Sequence, residues 1–117
     1  MKDNPLLDKT FAFAIRVVET YRELVDDRRE YVLSTQLLRS GTSVGANAEE
    51  AVGAQSRADF ISKLSIAYKE ARETNYWLRL LRATGYLDGS VANSLLADCD
   101  ELLRIIGKIQ ITAKRNS

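Results

Sequence analysis

A chain of 117 residues, 45% hydrophobic and 28% charged, has the size of one globular domain and can bury one hydrophobic core. Seventeen basic against sixteen acidic side chains leave a net charge of +1, so no global field draws in a polyanion and nucleic-acid contact requires a local patch. A lone cysteine, Cys99, excludes an internal disulfide and suits a reducing cytoplasm, and no apolar run approaches the ~18 residues that span a bilayer.

Spacing of apolar and small residues by three and four predicts four helices, roughly 6–27, 31–53, 57–84 and 90–114. In the first, Leu7, Phe11, Ala14, Val18, Tyr21 and Val25 form the expected core stripe, with Pro5 at the start, where no helical hydrogen bond is lost. The second carries Leu33, Leu37, Ser40, Val44, Asn47 and Ala51, weakened by Gly41 and Gly45 at roughly 1 kcal/mol each against Ala. The third repeats Phe60, Leu64, Ala67, Ala71, Thr74, Leu78 and Leu81, opened by Ser56 as N-cap and stopped by Gly85. The fourth carries Leu95, Cys99, Leu102, Ile106, Ile109 and Ala113, with Ser90 as the expected N-cap.

The links between these segments are short, which makes successive helices antiparallel neighbours. The expected fold is all-α: one antiparallel up-down-up-down four-helix bundle over residues 1–117, without a second domain. The N-terminal MKDNPLLDK lacks a secretory stretch, so a cytoplasmic protein with no membrane partner is expected.

Chemistry is sparse. The absence of histidine removes the commonest general base and metal ligand, together with any His-containing triad or Glu-x-x-His di-iron pair. Glu70 and Glu73 stand at i, i+3 and offer either a metal-ligand pair or, more simply, paired or solvated carboxylates. Cys99 lies on an apolar stripe and reads as a small buried filler. The stretch from Gly41 to Asn47 lacks the Gly-Lys-Ser/Thr of a phosphate loop. No enzyme, cofactor or metal site is expected.

Polar residues flank the core stripes of helices two and three. Antiparallel pairing sets Arg39 level with Glu70 and Glu73, giving an expected structural network of Arg39, Ser40, Ser43, Asn47, Glu70 and Glu73. Such a network fixes register more than it stabilises, because desolvation offsets the attraction. Trp77 on the same flank is a core-edge residue or a subunit-contact anchor. The outer face of helix three presents Lys69, Arg72, Tyr76 and Arg79, and that of helix four Arg104, Lys108 and Arg115. Cations interleaved with an aromatic suit a phosphate backbone and an unstacked base, and equally an ordinary solvated face.

The stretch QLLRSGTSVGANAEE, Gln36 to Glu50, and the block FISKLSIAYKEARETNYWL, Phe60 to Leu78, resemble the signatures of the four helix bundle protein family. That family is also called S23 ribosomal protein or 23S rRNA intervening-sequence protein. The resemblance covers essentially the whole chain and includes KEARE at Lys69 to Glu73. It implies a small bacterial bundle related to the accessory variability protein of diversity-generating retroelements, a barrel-shaped homopentamer that binds RNA and reverse transcriptase. A homo-oligomer, pentameric by that resemblance, is therefore expected, with RNA or a nucleic-acid-processing protein as partner. The chain departs from the strongly basic retroelement proteins in being near neutral. The other reading is a protein-interaction scaffold that binds no nucleic acid.

Overall fold

The computed structural model describes residues 4–116. Four helices follow one another: α1 Pro5–Asp26, α2 Leu33–Val52, α3 Arg57–Ala83 and α4 Gly89–Arg115. Each packs on the next, and α4 closes onto α1, while the diagonal pairs stay apart. The result is an antiparallel up-down-up-down bundle with extents of 47 × 23 × 23 Å. The α2–α3 seam is the most extensive and the α1–α4 seam the least.

Local chemistry sets the helix ends. Asn4 caps α1 by accepting from the Leu7 amide at 3.2 Å, with Pro5 in the first turn. Ser56 caps α3 by accepting from the Asp59 amide at 3.1 Å. The N-cap of α4 is Asp88, whose Oδ1 accepts from Ser90 N, so Ser90 is inside the helix rather than capping it. Gly85, at φ +80°, stops α3, and the Leu87 amide returns to the Leu81 carbonyl. Arg29 takes the same left-handed conformation after α1, at φ +52°, with the Glu30 amide donating to Leu24 O at 2.9 Å. That wrap delays α2 to Leu33, two residues beyond the sequence expectation.

The α3 and α4 core stripes follow the expected spacing: Leu64, Ala67, Ala71, Thr74, Leu78 and Leu81 are buried against Leu95, Cys99, Leu102 and Ile106. Each large aliphatic contributes about 1.5–3 kcal/mol of burial. The α1 stripe does not follow it. Leu6, Thr10, Phe13, Val17, Thr20 and Leu24 point inward, one position earlier than the set beginning at Leu7. Phe11, assigned to the core from spacing, is 66% exposed, and Ile15 beside it 47%.

The reason is on α2. Gly41 and Gly45 present a nearly flat backbone to Val17 and Thr10, letting α1 approach closely on that side. The two inward threonines carry no polar penalty, because Thr10 Oγ1 donates to Leu7 O at 3.2 Å and Thr20 Oγ1 to Arg16 O at 2.8 Å. Among the described residues no helix is long and apolar enough to cross a membrane.

Candidate functional site

The α2–α3 seam carries the conspicuous polar chemistry. Arg39 donates from one guanidinium nitrogen to Glu70 Oε2 at 3.3 Å and from the other to Glu73 Oε2. Its Nε reaches Gln36 Oε1 at 3.3 Å. Trp77 Nε1 donates to the same Glu73 oxygen at 2.9 Å. One turn deeper, the hydroxyls of Ser40 and Thr74 lie 2.9 Å apart in a fully buried position, and Thr74 also donates to Glu70 O at 2.8 Å. Ser43 and Asn47 bond back to the Arg39 and Ser43 carbonyls of their own helix instead of reaching the carboxylates. Both glutamates thus face the Arg39 guanidinium, and Glu73 the Trp77 indole as well. Among the described residues no group of three or more His, Cys, Asp or Glu side chains is placed to hold a metal ion.

Cys99 is buried in the α3–α4 seam, its Sγ donating to Ala71 O at 3.2 Å. Burial, and then the negative charges of Asp100 and Asp98, push its thiol up to about 12. A thiol held protonated in this way is a poor nucleophile.

The second region is the outer surface of α3 and α4. Three polar rungs tie the helices together: Ser65 with Gln110, Asn75 with Asp100 and Arg82 with Asn93. Between the first two rungs lie Lys69 and Arg72 on α3 and Arg104 and Lys108 on α4, all exposed. Tyr76 and Arg79 continue the α3 stripe beyond Asn75, and a shallow groove of about 200 Å³ runs past Tyr68, Arg72, Asn75, Arg79 and Leu103. Arg115 stands apart at the α4 terminus, two turns from Lys108. There the structure adds Arg57, which donates to the Asn116 carbonyl. Arg57 escapes a sequence search because it opens α3, far along the chain from the end of α4 that it joins.

Ion pairing divides the cations into two groups. Lys9, Arg16, Arg39 and Lys63 pair with Glu101, Asp98, Glu70 and Glu73, and Glu50 respectively. Lys69, Arg72, Arg79, Arg104, Lys108 and Arg115 have no carboxylate within ion-pair distance among the described residues. Arg22, Arg28, Arg29, Arg57 and Arg82 also lack an ion pair among the described residues, but Lys69, Arg72, Arg79, Arg104 and Lys108 are the ones that share the outer α3–α4 face.

Opposite features lie on α1. Phe11, Ala14, Ile15, Val18, Glu19 and Arg22 line an open, mainly apolar groove of about 320 Å³ on its outer face. An apolar strip of this kind commonly marks a contact surface.

Comparison with known proteins places these features in a family. The family model described as 23S rRNA-intervening sequence protein matches residues 2–108. The chain is similar to a crystal structure from Bacteroides thetaiotaomicron, described as a protein of unknown function from the S23 ribosomal protein family. The two are 50% identical and superpose with a TM-score of 0.89, over 90% of this chain and 97% of that one. Among curated proteins, none matches the chain. With both recognised blocks inside the matched range, and the bundle shared at this level of identity, the chain belongs to the 23S rRNA-intervening sequence protein family.

Proposed function

We propose that the protein is a non-enzymatic bundle that assembles with copies of itself and binds structured RNA through the outer faces of α3 and α4. The observation that carries this reading is the segregation of charge. Among the described residues the ion-paired cations lie off this face, while Lys69, Arg72, Arg79, Arg104 and Lys108 remain exposed on neighbouring helices without a carboxylate partner. Cations left free in this way release counterions from a phosphate backbone on binding, and that release supplies sequence-independent affinity. The family name, which refers to intervening sequences of 23S rRNA, makes structured RNA the first ligand to test.

RNA retention measured across a salt series tests the reading. Binding should weaken as salt rises, and replacing Lys69, Arg72 and Arg79 together by Ala should lower the log–log salt slope by about 2–3. No retention at low salt, or no effect of the triple replacement, would sink it.

The exposed apolar strip of α1 favours self-assembly, and the resemblance makes five the subunit number to test. The same strip supports the second reading, a protein-interaction scaffold. Native mass spectrometry with and without RNA separates the two: a ring that purifies free of RNA and captures a protein partner favours the scaffold.

A further inference from the structure

Resting on the nucleic-acid reading above, we infer that the α3 face takes unpaired RNA in preference to duplex, stacking a base on Tyr76 with phosphates on Arg72 and Arg79. Tyr76 is 49% exposed and stands between Arg72 and Arg79 on the outer stripe of α3, beside the Asn75–Asp100 rung. Arg72 and Arg79 stand four residues before and three after it, about 6 and 5 Å away along the helix axis, on one stripe. A cation on either side of an aromatic is the arrangement that places a nucleotide's base and its neighbouring phosphates together.

The ring is also held in place before any ligand arrives. Trp77 contacts it edge-on, with centroids 5.1 Å apart and planes at 72°. Trp77 is fixed in turn by its hydrogen bond to Glu73, which Arg39 holds from α2. The Arg79 guanidinium lies over one face of the ring, 5.8 Å from the Tyr76 centroid, so a base stacks on the other face. Arg79 is itself oriented by Asn75 at 2.8 Å, and Asn75 by Asp100 of α4 at 3.2 Å. A relay of contacts thus runs from α2 through Tyr76 to α4, and a preorganised ring loses little rotamer freedom on binding. The α2–α3 network, otherwise a register device, acquires a second task as the support of this ring.

Duplex RNA cannot use the ring. Its base faces are already stacked on one another, and an A-form helix offers proteins its backbone and 2′-hydroxyls instead. A duplex would engage the cations alone, whereas an unpaired strand engages the cations and Tyr76.

The test uses the full chain, a labelled single-stranded oligouridylate of roughly 12 nucleotides and a duplex RNA of about the same length, followed by fluorescence anisotropy at one fixed salt concentration. The single strand should bind at least about fivefold tighter than the duplex. Tyr76→Ala should weaken the single strand about tenfold and leave the duplex unchanged, while Tyr76→Phe should stay close to wild type. Trp77, the chain's one tryptophan, gives a readout that needs no variant: its emission should change on adding the single strand and not the duplex. Equal affinity for both RNAs, with Tyr76→Ala and Trp77 emission unresponsive, overturns this inference and leaves the basic-face reading standing. Failure of both RNAs to bind at low salt overturns the two together.

Discussion

Gly41 and Gly45 sit where α2 crosses Val17 and Thr10 of α1, and the two positions differ in a way that sequence propensity does not register. A Cβ built at Gly41 would lie 2.7 and 2.8 Å from the two γ-methyls of Val17, a fully buried β-branched side chain with little freedom to move. At Gly45 the nearest atoms are at 3.4 Å, ordinary contact. At Gly107, midway along α4, the Cβ would meet Tyr68 Cε2 at 3.6 Å. Thermal unfolding should therefore separate them by sign. Gly107→Ala should stabilise by about 0.5–1 kcal/mol through helix propensity. Gly41→Ala should destabilise by about 1 kcal/mol, because overpacking of ~1–3 kcal/mol exceeds the same propensity gain. A stabilised Gly41→Ala would show that α1 is not held against α2 at this point. Propensity alone marks Gly41 as a weakness of α2; its role in admitting α1 depends on a residue 24 positions earlier in the chain.

Between the elements, the α1–α2 connection depends on a residue the sequence does not single out. Glu30 folds back so that Oε1 accepts from the Ser34 amide at 2.6 Å and Oε2 from the Val32 amide at 3.2 Å. The Ser34 hydroxyl returns the bond to Glu30 O at 2.6 Å. The start of α2 lacks a capping side chain at Val32, and this carboxylate takes over the task from two residues upstream. Desolvation by burial raises the Glu30 pKa, but the amides of Ser34, Leu33 and Val32 and the Ser34 hydroxyl together outweigh it, so the carboxyl sits below its ordinary value. A carboxylate depressed in the folded state contributes stability above its unfolded pKa of about 4.3, and that contribution is lost as pH falls through the folded value. Glu30→Gln should cost about 1 kcal/mol at neutral pH and flatten the loss of stability on acidification. Denaturant titrations of both proteins at neutral and acidic pH check this, and an unchanged acid slope would remove Glu30 from the account.

The α2–α3 seam is the element-level feature most legible in the residues. Antiparallel pairing alone sets Arg39 level with Glu70 and Glu73, because both helices are regular and the link between them is short. Hydroxyl and amide details were not legible: whether Asn47 faces across the seam or back along its own helix depends on rotamers that spacing does not encode.

For the whole molecule, two surfaces are set apart. The α3–α4 side gathers cations without carboxylate partners, and α1 turns an apolar strip outward. If copies assemble on that strip, Phe11→Glu together with Ile15→Glu should lower the mass measured by light scattering to that of the single chain. The fold should persist, because both residues are already solvent-exposed. An unchanged mass would move the assembly contact elsewhere, with Trp77 the next position to probe.

Residue spacing alone carries the four helices, their antiparallel order and most of the α3 and α4 core stripes. Each of these follows from a period of about 3.6 residues and short links, which are local quantities. Which of two adjacent apolar stripes α1 buries is settled by packing against the other helices. Counting apolar residues favours the stripe through Phe11, but the bundle buries the one with Thr10, Val17 and Thr20, because Gly41 and Gly45 let the α2 backbone approach there and the threonine hydroxyls bond within their own helix. Tertiary structure likewise decided which cations stay uncompensated, since an ion pair such as Arg16 with Asp98 joins residues 82 positions apart. A net charge counts such pairs, and only the fold assigns them.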